Sequence, residues 1–249
     1  MSTDARPPKT LRIGTWFSCI DIAVVEVPSQ AEFDFILVDG EQGHAPVHLI
    51  HTFAGAVRSG GRKLVYRVAA NRVEPIKSAL DQGADAVMVP MVNTGEEARA
   101  AVRAAKYAPV GERGIGPLRA SGYYRNFGAY MQMANAATEL IVQIESRTGV
   151  ENCLAIARLE GGDQLFVGPA DLAASLGLPL GTLNNEMLDV FVRVAQATTK
   201  NGKVAGIDCA APSLIPRFRE MGFSFFSIGS DLQYLAEGAN AMVQACKAL

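Results

Sequence analysis

Polar residues of the kinds that handle metals and oxo acids recur just past short apolar runs. Trp16, the chain's single tryptophan, closes the first run, and the second ends in Asp39-Gly40-Glu41-Gln42-Gly43-His44. Arg67, Gln143-Ile144-Glu145, Gly168-Pro169-Ala170-Asp171 and Asp208 hold equivalent places further on. Two carboxylates such as Glu145 and Asp171, completed by water and substrate oxygens, suit Mg²⁺ or Mn²⁺. Spacing alone leaves a second reading open, in which Asp171 caps a helix starting near Leu172 and Glu145 pairs with Arg147. Arg67 either neutralises Asp39 or offers its guanidinium to a substrate carboxylate or enolate oxygen.

Such residues act together only if one architecture gathers them. Eight β-rich runs cover residues 11–17, 33–39, 63–68, 86–92, 140–146, 164–168, 203–209 and 223–228. Most are continuously apolar, as parallel strands covered on both faces are. Helical patterns lie between them, at 71–83, 94–106, 185–201 and 212–222. Thr94 and Glu97 form a capping box. Eight βα units in a chain of this length predict a single-domain (β/α)8 TIM barrel over residues 1–249. A doubly wound sheet is the alternative, but no glycine fingerprint or P-loop follows the first strand. In a barrel the chemistry sits at the C-terminal strand ends, where the polar residues above fall.

The chain has 249 residues, 49% of them hydrophobic, enough to bury a core without disulfides or metal. Its net charge of −2 gives no electrostatic case for a nucleic-acid partner. The four scattered cysteines form no CxxC pair and read as reduced thiols. No apolar run approaches the ~20 residues of a membrane helix, and the polar, flexible segment 1–10 lacks the apolar core of a secretory signal. These features predict a soluble cytoplasmic protein. His44, His48 and His51 fall on one face of a helix expected to begin near Pro46. Without a carboxylate in the run, the trio reads as a solvated face rather than a ligand set, and His44 is the one candidate for catalysis. The basic, glycine-rich stretch Arg113-Gly114-Ile115-Gly116 with Arg119-Ala120-Ser121 cradles an anion, folds as a lid, or forms an irregular loop at a subunit contact.

The motifs FDFILVDGE, VPMVNTGEEAR, GERGIG with RAS, VQIES and FVGPADLAASLG, in this order, resemble the HpcH/HpaI aldolase family over nearly the whole chain. The resemblance implies a TIM barrel and reversible cleavage of a 4-hydroxy-2-oxo acid into pyruvate, or hydroxypyruvate, and an aldehyde. It implies a divalent cofactor (Mg²⁺, Mn²⁺ or Co²⁺) on Glu145 and Asp171, and enolate stabilisation by Arg67. It also implies a pyruvate wall of Gln143, Gly168, Pro169 and Ala170, with Trp16 as a pocket aromatic. Asp81 resembles an acidic residue that reaches a neighbouring subunit's site. The implied assembly is a trimer or hexamer whose C-terminal helix, about 232–248, packs on a neighbour.

Two departures stand out. The family's Asp-x-Glu-His pattern, whose Asp and His form a proton-transfer dyad, reads Asp39-Gly40-Glu41-Gln42 here, and glutamine is no base at neutral pH. Either His44 serves as the base, or a metal-bound water works with Gln42 orienting it, or the activity is lost. Retained activity with altered proton handling is the expectation. An oxaloacetate decarboxylase, another enolate-forming lyase, and a non-catalytic oxo-acid binder are the alternatives. Asp208 stands where the family tends to be apolar. A carboxylate there would disfavour an anionic aldehyde, hydrogen-bond a hydroxylated one, or act as a replacement base.

Overall fold

The computed structural model describes residues 10–43 and 45–248. His44, proposed above for catalysis, residues 1–9 of the N-terminal segment and Leu249 lie outside them. Eight parallel strands close in sequence order into one barrel. They are β1 (Arg12–Phe17), β2 (Phe35–Asp39), β3 (Lys63–Arg67), β4 (Ala86–Val89), β5 (Glu139–Ile144), β6 (Gln164–Val167), β7 (Val204–Cys209) and β8 (Phe225–Ser230). The helices are α1 (Ile22–Ser29), α2 (Ile50–Ser59), α3 (Val73–Asp81), α4 (Gly95–Ala105) and α5 (Phe127–Ala137), then α6 (Arg147–Ala157), α7 (Pro169–Leu176), α8 (Asn185–Lys200), α9 (Ile215–Glu220) and α10 (Asp231–Lys247). None among the described residues is long and apolar enough to cross a membrane. The TIM barrel expected from the alternating runs is thus the observed fold.

Two apolar layers explain the continuous strand hydrophobicity. The larger lies between strands and helices, and the smaller fills the barrel with Phe35, Leu37, Val65, Met88, Ile141, Phe166 and Phe225. Phe35 stacks on Phe225 at 4.0 Å, and Phe166 meets Phe225 edge-on at 6.2 Å. Gly14 makes room for them, since a Cβ there would fall 2.3 Å from the Phe35 ring. Below these rings, at the N-terminal strand ends, Glu139 binds Arg12 at 3.0 Å, Lys63 at 2.5 Å and Gln164 at 2.6 Å. The floor is therefore polar and paired, the middle aromatic, and the mouth left for chemistry.

Element boundaries differ from expectation where proline or turn chemistry intervenes. β4 stops at Val89 because Pro90 has no N–H to give the ladder. The stretch expected as one helix over 212–222 is a 3₁₀ turn, Pro212–Leu214, followed by the short α9. The helix expected from Pro46 begins as a 3₁₀ turn, Val47–Leu49, and becomes α only at Ile50. His48 and His51 are both exposed, and the His51 ring bonds the His48 carbonyl at 2.9 Å. The Thr94/Glu97 capping box is present as predicted.

Candidate active site

Asp39 and Arg67 are register partners at the ends of β2 and β3. Arg67 Nε and Nη2 donate to Asp39 Oδ1 and Oδ2 at 2.8 and 2.7 Å, while Nη1 lies 3.0 Å from Glu41 Oε2. The guanidinium sits 4.5 Å from the centre of the Trp16 ring. Burial by itself raises the Asp39 carboxyl. The Arg67 bonds and charge, with N–H donors from Glu41 and Gln42, outweigh it and hold Asp39 below the usual carboxylate range. Arg67 thus does neutralise Asp39. Its fork is spent there, and its Nη1 edge faces the remaining carboxylates.

Glu145 follows β5 directly and is buried. Its Oε1 accepts the Met91 N–H at 2.7 Å and its Oε2 accepts Gln143 Nε2 at 3.0 Å. Met91 reaches it from a left-handed backbone, φ 52°, a costly conformation for a residue with a Cβ. The pairing with Arg147 does not form, because that side chain donates to the Leu176 carbonyl instead. Burial, with the nearby charges of Asp171 and Glu41, pushes Glu145 up to about 7 against the pull of the Met91 N–H. Asp171 lies exposed in the first turn of α7, whose N-cap is Gly168 and has no side-chain cap. Glycine at 168 leaves room for this carboxylate, since a Cβ there would lie 2.7 Å from Glu145 Oε2. Gln143 Oε1 is buried without a hydrogen-bond partner among the described residues.

This oxygen-rich donor set fits a hard divalent cation. Glu145 and Asp171 repel one another, and a cation would relieve that repulsion. No group of three or more His, Cys, Asp or Glu among the described residues is placed to hold a metal ion. A cation on the pair would therefore draw further oxygens from substrate and water.

The other side of the mouth is built on three adjacent strands. Trp16 Nε1 donates to Asp208 Oδ1 and Ser227 Oγ, both at 2.8 Å. Ser227, the register partner of Asp208, also donates to Oδ1. Asp208 lines a cavity of about 240 Å³ with Pro169, Ala170, Thr182, Leu214 and Phe218.

Residues 12–238 match the HpcH/HpaI aldolase/citrate lyase family. The chain belongs to that family. It is 38% identical over 231 residues to a 4-hydroxy-2-oxovalerate aldolase of Novosphingobium aromaticivorans, covering 92% of this chain and 87% of that one. It is 35% identical over 224 residues to a hydroxypyruvate/pyruvate aldolase of Roseobacter denitrificans, covering 89% and 87%. An HpcH/HpaI aldolase/citrate lyase family protein of Burkholderia cenocepacia superposes with a TM-score of 0.88 at 31% identity, covering 96% and 95%.

Within this HpcH/HpaI family barrel, the structure gathers Trp16, Asp39, Arg67, Gln143, Glu145, Gly168, Pro169, Ala170, Asp171 and Asp208 at the mouth. Gln42 is at the same rim with its side chain exposed. Asp81 is elsewhere. It is buried at the end of α3 that runs away from the strand ends, held by Arg113 Nη2 at 2.6 Å and by Lys77. Its own carbonyl accepts the N–H of Arg119 and Ala120. Nothing within one subunit brings Asp81 to the mouth, and Arg113, buried against it, is not free to cradle an anion. Glu41, Met91 and Ser227 were not singled out as site residues. Ser227 had one legible signal, a hydroxyl inside the apolar run FFSIG, and Met91 follows the strand-ending Pro90.

Proposed function

We propose that this protein is a divalent-cation-dependent aldolase, a carbon–carbon lyase that reversibly cleaves a 4-hydroxy-2-oxo acid into pyruvate, or hydroxypyruvate, and an aldehyde. The observation that carries this reading is the buried Glu145 beside Asp171, facing the Arg67 guanidinium across one barrel mouth. Glu145 and Asp171 would hold a Mg²⁺, Mn²⁺ or Co²⁺ ion, which when bound would supply Lewis-acid polarisation of a 2-oxo group. Arg67 Nη1 places fixed positive charge where negative charge grows on that oxygen. Asp39 and Trp16 hold the guanidinium in place, so little reorganisation is needed during the reaction. The uncapped N-terminus of α7 offers the Ala170 N–H to the substrate carboxylate. The Gln42 amide is no base at neutral pH, so water takes the proton from the substrate hydroxyl in cleavage, with Gln42 as an orienting neighbour.

The working form is a cytoplasmic homo-oligomer, a trimer or hexamer. Residues 232–247 of α10 are exposed along their length and include Leu232, Leu235, Met242 and Val243, which a neighbouring subunit would cover. The test is pyruvate release from a panel of 4-hydroxy-2-oxo acids, with oxaloacetate alongside, with each cation and with EDTA. Cation-dependent release from the hydroxy-oxo acids is the expected result. Release from oxaloacetate alone, or none at all, would refute the aldolase reading.

A further inference from the structure

Asp208 has one committed oxygen and one free one. The indole N–H of Trp16 can only donate, so Oδ1 is an acceptor there, and Ser227 donates to the same atom. No described residue donates to Oδ2. The cavity that Asp208 lines is otherwise largely apolar, walled by Leu214, Phe218, Phe191 and Pro169, with Thr182 as the one other polar side chain. It shares Ala170 with the α7 turn that carries Asp171, so it continues from the place where the oxo acid would sit.

Building on the aldolase reading, we propose that Asp208 sets the aldehyde specificity: its free oxygen accepts a hydrogen bond from a hydroxyl on the aldehyde, making an uncharged hydroxyaldehyde the preferred partner. A carboxylate oxygen facing apolar walls gains from a donor brought by the substrate. A carboxylate-bearing aldehyde would set a second negative charge beside the Asp208 carboxylate. An aminoaldehyde would bring its cation towards Arg67, which lies over the same indole that binds Asp208.

The experiment separates this inference from the reading beneath it. Exchange of the pyruvate methyl protons into D₂O, followed by NMR with Mn²⁺ and no aldehyde, reports enolate formation alone. Condensation of pyruvate with glycolaldehyde, propanal, succinic semialdehyde and 3-aminopropanal reports selectivity as ratios of kcat/KM. Glycolaldehyde should lead each of the others by about tenfold or more. In Asp208→Asn and Asp208→Leu the ratio of glycolaldehyde to succinic semialdehyde should fall by about tenfold, and in Ser227→Ala it should move the same way by less. Ratios within one variant are independent of the amount that folds. A parent that prefers succinic semialdehyde or 3-aminopropanal, or unchanged ratios in variants that still exchange protons, would overturn the proposal. Absence of exchange in the parent would overturn the aldolase reading and this inference with it.

Discussion

Replacing Gly168 with alanine tests the proposed cation site with a single methyl group. The backbone there, φ −97° and ψ 96°, is open to alanine, so the change adds no conformational strain. The new Cβ would stand 2.7 Å from Glu145 Oε2, where ordinary contact begins near 3.4 Å, so the carboxylate must retreat by about 0.7 Å. That oxygen accepts Gln143 Nε2 at 3.0 Å. A straight retreat of that size stretches the bond to about 3.2 Å, the outer edge of good geometry. Loss of an orienting partner around a metal ligand costs about 10- to 100-fold in affinity. A displacement approaching 1 Å costs on the order of 100-fold in rate. Titration calorimetry with Mn²⁺, and pyruvate release across a Mn²⁺ series, should both record these losses. The melting temperature should move by only about 2–4 °C, the shift for roughly 1 kcal/mol in a barrel of this size. Binding and turnover within about threefold of the parent would show that Glu145 is not held against Gly168, or is not a ligand, and the reasoning would fail.

Arg67→Lys keeps the charge but loses the fork on Asp39 and the flat contact with Trp16. Its kcat should drop about 100-fold in steady-state assays. Gln42→Ala should change kcat by less than about tenfold, because an amide transfers no proton, and a larger loss would assign Gln42 more than orientation. Burial alone raises Glu139, but its bonds with Lys63 and Arg12 outweigh this and hold it below the usual range. Its folded value is depressed, so its contribution is full above the ordinary carboxylate range and fades as pH falls through the folded value. Urea unfolding of Glu139→Gln should therefore show a loss of about 1–3 kcal/mol at neutral pH that shrinks as the buffer is acidified. Leu235→Asp should shift the species seen by light scattering towards smaller assemblies, with the barrel's circular dichroism retained.

The barrel was legible because its strands are buried on both faces, which writes them as uninterrupted runs such as FDFILVD. The rim residues were legible because polar groups ending such runs have nowhere to point but the mouth. α5 was not read as a helix. Its sequence FGAYMQMANAA carries no charge, its N-cap Asn126 makes no side-chain bond, and only Ala134 is buried. Glu145 could be assigned neither to a cation nor to Arg147 from spacing, since Met91 and Gln143, which orient it, come from the loop after the preceding strand, β4, and from its own strand two residues back. Asp81 was placed by resemblance, and its binding to Arg113 joins positions 32 residues apart that no local pattern connects.

The contacts of Trp16 set an order of events during synthesis. This residue lies near the start of the chain, yet its partners are Asp208 and Ser227, 192 and 211 residues later. The seam where β1 meets β8 is also held by Thr15, which bonds the Gly229 carbonyl and the Tyr234 hydroxyl across a separation of more than 200 residues. Asp39, Arg67 and Glu145 all precede β6 in the chain, but the Trp16–Asp208–Ser227 wall waits for the last strand to leave the ribosome. Closure entropy falls on that final step. Fragments and stalled chains therefore lack the Trp16–Asp208–Ser227 wall, and the complete pocket is also a certificate that the barrel has closed.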